Sequence, residues 1–288
     1  MSSRCLEPLR AGVVALAAAI CALPSPARAE EGTAALRVCA DPDNLPYSNR
    51  AEEGFENAIA RVVAGALGRE LRYEWQPLVR GFVRKTLGSG VCDVFIGVPV
   101  EFERVLTTRP YYRSGYVFLN RADAPHKLAS FDDPQLDRMT IGVQLIGDDL
   151  AATPPGHALA RHGAIEHVVG YPVFGDGPAA GRASADLAAG RIDAAVLWGP
   201  QAGYFARQSA VPLELSAAHP PADVPLPFEF AIAMGVRKGD EALRHALDRA
   251  IEQRRAEIEA ILDAYGVPRL ALSGRAGAAA DGSPGKRP

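Results

Sequence analysis

The apolar positions fall into short runs that alternate with helical spacings. Leu36 and Val38 open a run that stops at Asp41-Pro42 and Leu45-Pro46, where proline fixes φ and cannot donate to a sheet ladder. Tyr47, Ser48 and Asn49 follow as hydrogen-bonding side chains at the predicted strand's carboxyl end. Phe55, Ile59, Val62, Val63, Ala66 and Leu67 then recur at helical spacing, and Gly68 closes the helix. Leu71 to Trp75 alternates apolar and polar as a half-buried strand does. A short helix spans Gly81 to Leu87, and a buried strand runs from Asp93 to Val98. Strand, helix, strand, helix, strand is the pattern of a doubly wound, mostly parallel sheet.

A second set of the same kind begins after Arg109-Pro110-Tyr111-Tyr112 and the run Tyr116 to Leu119. It has strands at Thr140–Leu145, His167–Phe174 and Ile192–Trp198. Its helices are at Pro154–Gly163, Ser184–Ala189 and through Tyr204 and Phe205, and Leu213 to Ser216 adds a short strand. Phe228 to Val236 is apolar and predicts a return to the first set. Leu243, Leu247, Ile251, Ile258, Ile261, Leu262 and Tyr265 share one face of a final helix, with Arg254 snorkelling from it. The chain therefore divides into lobe one (36–117 with 231–268) and lobe two (118–230), joined by two hinge crossings around a cleft. In such sheets ligands bind beyond the carboxyl ends of the strands.

The ends change this picture. Arg4 and Arg10 precede an Ala-rich apolar run to Leu23, and Ala27-Arg28-Ala29 is an A-x-A cleavage site. Residues 1–29 thus read as a secretory signal cut after Ala29, which sends the protein to the periplasm. Lipidation at Cys21 is disfavoured by Ile20, where a small residue is expected. No later apolar run is long enough to span a membrane. Residues 273–288 are Gly, Ala, Pro and charge without apolar period, and predict a disordered tail. Loss of Arg4, Arg10, Arg28 and Glu7 takes the net charge from −3 to −5. A mildly acidic chain has no electrostatic case for nucleic acid. Cys39 and Cys92 remain, on strands expected to be neighbours. An exported pair can close a disulfide, and two separate buried thiols are the alternative.

Catalytic motifs are missing: the chain has no Gly-x-Ser-x-Gly elbow, Walker loop, Rossmann fingerprint or His-Glu-x-x-His. His157, His162 and His167 are five apart, so on a continuous helix they share no face and make a poor metal site. Asp148-Asp149 is a carboxylate pair on a loop.

The opening strand, Pro-Tyr loop and Gly54-Phe55 helix start resemble the type II class of bacterial periplasmic solute-binding proteins. The finer string Val38-Cys39-Ala40-Asp41-Pro42, then Leu45-Pro46-Tyr47-Ser48-Asn49 and Gly54-Phe55-Glu56, is similar to the methanol-oxidation J proteins (MoxJ, MxaJ and XoxJ). Further landmarks follow in order: Arg80-Gly81-Phe82, Thr108 to Ser114, Ile141-Gly142-Val143-Gln144, Thr153-Pro154-Pro155, Trp198 to Phe205, Met234 to Arg237 and Ile261 to Pro268. The resemblance implies a two-lobed α/β fold and partnership with a PQQ-dependent methanol or alcohol dehydrogenase. It implies no permanently bound cofactor, with transient contact to PQQ. Amino-acid receptors of the class hold a carboxylate with an arginine, here Arg104, and an ammonium with a late aspartate, here replaced by Trp198. Asp148 and Asp149 stand where small hydroxyl residues are usual. These departures weaken an amino-acid receptor.

The cleft candidates are Asp41, Asn44, Tyr47 and Ser48 after the first strand, Arg104, Tyr111 and Tyr112 at the exit from lobe one, and Gln144, Asp148, Asp149, Trp198 and Tyr204 in lobe two. For Tyr111 and Tyr112 the alternative is hinge packing, and for Trp198 it is a place in the core. Three functions stay open: an accessory factor of the dehydrogenase, a receptor feeding an ABC importer of a small solute, and a periplasmic lyase or dehydratase on the same fold.

Overall fold

The computed structural model describes residues 35–146, 151–173 and 177–272. The export signal, Asp148, Asp149 and the tail from Ser273 lie outside the described residues.

The first strand, β1 (Leu36–Ala40), buries Leu36, Val38, Cys39 and Ala40, as a central strand must. The loop after it forms a small hairpin of β2 (Asp43–Asn44) and β3 (Ser48–Asn49). Helix α1 (Phe55–Leu67) follows. The Asn57 side chain accepts a hydrogen bond from the Gly54 N–H at its start, and Gly68 ends it in the left-handed conformation at φ 64°. β4 (Leu71–Trp75) alternates half-buried Leu71, Tyr73 and Trp75 with exposed Arg72 and Glu74, because it is the edge strand with one face to solvent. A short helix α2 (Phe82–Lys85) leads to β5 (Val94–Pro99), and β6 (Leu106–Thr107) precedes the long β7 (Tyr112–Arg121).

Beyond β7 come β8 (Ile141–Ile146), β9 (Ala151–Ala152), α3 (Pro154–Arg161), β10 (Val168–Pro172), α4 (Ala179–Ala188), β11 (Ala194–Trp198), α5 (Gly199–Gln208), β12 (Leu213–Ala217) and β13 (Glu229–Val236). The expected last helix is two: the helical run breaks at Arg254 (φ −110°, ψ 19°) into α6 (Glu241–Gln253) and α7 (Arg255–Ala264). Arg254 ends α6 and faces Glu257, so the seven apolar positions pack from two axes, not one.

The strand order is β10-β8-β11-β7-β13-β5-β1-β4. Each half repeats one scheme. β1 lies parallel between β4 and β5, and β8 lies parallel between β10 and β11. An antiparallel strand from the other end of its set closes each half, β13 on β5 and β7 on β11. β7 and β13 pair antiparallel from Tyr112–Ile232 to Gly115–Glu229 and join the halves. One apolar core gathers Phe55, Ile59, Val94, Ile96, Met234, Leu247 and Leu262 between α1, α6, α7 and the first sheet. Others gather Phe118, Ile141, Leu159, Val196 and Phe228, and Leu119, Ala183, Leu187 and Leu197, on the two faces of the second. Each fully buried Phe or Leu contributes roughly 1.5–3 kcal/mol of transfer free energy. This is the two-lobed type II periplasmic binding protein fold that the resemblance implied.

Cys39 and Cys92 are disulfide-bonded, with Cα atoms 5.5 Å apart. Cys92 is not on a strand: it sits in the loop before β5, and that loop folds back so that the bond ties it to the end of β1. Among the described residues no helix is long and apolar enough to cross a membrane.

Candidate functional site

A cavity of about 590 Å³ opens at the carboxyl ends of β1 and β5, in the range of small-molecule sites. Four segments of the first lobe build it: the loop after β1, the first turn of α1, the 78–83 loop and the end of β5 through Phe102 and Arg104. Tyr112, Tyr116, Trp198 and Phe230 close it from the hinge side.

The Pro-rich loop is held rigidly. The Asp41 carboxylate accepts hydrogen bonds from the backbone N–H of Asp43 at 2.8 Å and of Leu78 at 2.6 Å. It therefore clamps the 78–83 loop over the cavity and has its acceptors engaged. The Ser48 hydroxyl donates to the Asp41 carbonyl at 2.8 Å. Tyr47 packs edge-on against Phe55, with ring centroids 5.3 Å apart. Burial pushes the Tyr47 phenol well above its usual range, with Glu56 and Tyr116 adding to the shift and Trp198 opposing it. Burial does the same for Tyr112, reinforced by Tyr111, Tyr47 and Glu56.

Trp198 ends β11 and is half-buried. It meets Tyr116 edge-on at 5.5 Å and Phe230 at 5.7 Å, and packs against the cores of both lobes. Gln144 fixes it from behind: its side-chain oxygen accepts from the Trp198 backbone N–H at 3.0 Å and its NH₂ donates to Gln201 at 2.8 Å. Both glutamines are buried.

Of the sequence candidates, Asp41, Asn44, Tyr47, Ser48, Arg104, Tyr112 and Trp198 line this one cavity. Tyr111 lies one step away. It is buried beside Tyr112, with ring centroids 5.1 Å apart, and its hydroxyl donates to the Ile96 carbonyl. Gln144 acts through Trp198 and does not reach the cavity. Tyr204 is on the far side of α5, stacked on Tyr265 at 5.9 Å. Arg80 and Arg104 are exposed at the mouth, and neither has an ion pair among the described residues. Arg113 does, with Glu229 at 2.8 Å across β7 and β13.

Sequence reading missed Glu56, Tyr116 and Phe230 as wall residues, as well as the Phe82–Phe95 stack at 5.1 Å. Gly97 carried the one available signal. A glycine inside a buried strand marks close approach, and here Glu56 is what approaches. Burial pushes the Glu56 carboxyl up to about 8. No group of three or more His, Cys, Asp and Glu side chains among the described residues is placed to hold a metal ion.

Residues 36–267 match the bacterial extracellular solute-binding proteins, family 3. The chain is 35% identical over 300 residues to Protein MoxJ of Methylorubrum extorquens AM1, covering 91% of this chain and 96% of that one. It is 33% identical over 276 residues to Protein MoxJ of Paracoccus denitrificans, covering 89% and 96%. Among solved structures it is similar to the periplasmic binding protein XoxJ of Methylobacterium extorquens AM1. There the TM-score is 0.69 and the identity 39%, over 82% of this chain and 99% of that one. By sequence, architecture and the cavity between its strand ends, this chain belongs to family 3 of the bacterial extracellular solute-binding proteins and is of the MoxJ, MxaJ and XoxJ type.

Proposed function

We propose that this protein is an exported accessory factor of a PQQ-dependent methanol or alcohol dehydrogenase and that it helps to assemble, load or activate that enzyme by binding it. The observation that carries the reading is likeness to MoxJ over nine-tenths of the chain, in a cavity stripped of amino-acid anchors. An aromatic ring, Trp198, stands where the family's receptors place an ammonium-binding aspartate. The Asp41 carboxylate is spent on backbone N–H groups, and Arg104 lies out at the mouth. PQQ is a planar polycarboxylate. The two arginines at the rim suit it, but Glu56 on the floor and the apolar walls oppose it. The reading therefore makes the dehydrogenase the main partner and any contact with the quinone transient.

The test is capture of apo-dehydrogenase by the immobilised mature protein, paired with dehydrogenase maturation in a deletion strain. Enrichment over a control, with slowed maturation, is the expected result. No enrichment together with normal maturation overturns the reading. The cavity volume favours one other reading, a receptor for an importer, which predicts micromolar or tighter binding of a small solute with lobe closure.

A further inference from the structure

Glu56 stands in the first turn of α1 and projects onto the cavity floor. Its carboxylate lies directly over Gly97: a Cβ there would sit 2.1 Å from Oε1. Any larger residue at 97 would displace it. Among the described residues no hydrogen bond or ion pair reaches this carboxylate, whereas Asp41, in the same cavity, is satisfied by two backbone donors. Burial raises its pKa. An ionised carboxylate in an apolar site is costly until a cation or donors reach it. The walls around it supply the rest of a cation site. Tyr47, Tyr112, Tyr116 and Trp198 line the same space, and the faces of such rings attract organic ammonium ions. A carboxylate on the ligand would meet Glu56 at the deep end, so the chemistry selects against acids there.

We propose that the cavity binds a small organic ammonium ion, an amine carried on an apolar or aromatic body, with Glu56 as its counter-ion. This goes beyond the partnership with the dehydrogenase and does not depend on it. Capture of that enzyme can fail while amine binding stands, and the converse also holds.

The test is titration calorimetry of the mature protein with three probes of one shape: 4-phenylbutylamine, 4-phenylbutanol and 4-phenylbutyrate. The amine is expected to bind at least tenfold more tightly than the alcohol, with the acid weakest. Glu56→Gln should lower amine affinity at least tenfold and leave the alcohol within twofold. Its melting temperature, unchanged or raised, reports that the fold is intact. Glu56→Asp, which keeps the charge but draws it back, should retain part of the affinity and serves if the Gln variant does not fold. Equal affinity for amine and alcohol, an amine affinity that ignores Glu56→Gln, or no binding of any probe overturns the proposal.

Discussion

Gln144 offers the sharpest test of how the hinge side of the cavity is held. Its side chain is 4% exposed and makes two hydrogen bonds, accepting from the Trp198 backbone N–H and donating to the Gln201 side-chain oxygen, Oε1. Gln144→Met keeps most of the volume and removes both. The Trp198 N–H cannot turn to water, because the register of β11 on β7 pairs Trp198 with Tyr116. An orphaned buried donor costs about 1–3 kcal/mol. Gln201, 9% exposed, has more room to rotate, and its loss adds about 1 kcal/mol. The total is about 2–4 kcal/mol, or a fall in Tm of roughly 4–16 °C for a chain of this size. Thermal unfolding by circular dichroism reads the first number. A double-mutant cycle with Gln201→Met reads the coupling, expected to exceed about 0.5 kcal/mol because the second change removes the orphaned acceptor. Additive single effects, or a loss under about 0.5 kcal/mol for Gln144→Met, would refute the network.

Three further outcomes follow from named contacts. Replacing Cys39 and Cys92 together by Ala releases a 53-residue separation, and the chain-entropy relation gives a loss of about 4 kcal/mol, measurable as a lower denaturation midpoint that dithiothreitol reproduces in the wild type. Gly203→Ala places a Cβ 1.9 Å from the Gly266 carbonyl oxygen and should push α5 off the 263–268 segment, costing about 1–3 kcal/mol and weakening the Tyr204–Tyr265 stack; an unchanged Tm would contradict that packing. The Glu56 carboxyl titrates near 8 when folded against 4.5 for the free group, so the folded state binds more protons between those values. Its contribution to stability is therefore full below about pH 4.5 and lost as pH rises through 8. Glu56→Gln should gain stability relative to wild type as pH rises from 5 to 9, and a constant difference would contradict the raised pKa.

Apolar periodicity gave most of the elements directly, since a buried strand, an edge strand and an amphipathic helix each leave their own local spacing. β4 shows this best: its alternation Leu71, Tyr73, Trp75 against Arg72 and Glu74 is the edge position itself. The break at Arg254 escaped because both halves of the last helix keep one apolar face, and periodicity does not report a change of axis.

The sequence by itself determined the two α/β sets, the succession of strands and helices along the chain and the loop of Asp41, Tyr47 and Ser48 at the first strand's end, because those depend on residues a few places apart. Only the tertiary structure decided what faces the cavity. Tyr111 and Tyr112 are adjacent, chemically alike and both buried, yet only Tyr112 lines the cavity, while the Tyr111 hydroxyl is taken up by the Ile96 carbonyl. Gln144 reads as a ligand contact by position and becomes a brace for Trp198, 54 residues away. Glu56 meets Gly97 across 41 residues, a contact that exists only once α1 has packed on the sheet. Side-chain partners separated by that much chain are chosen by packing, and no local pattern records them.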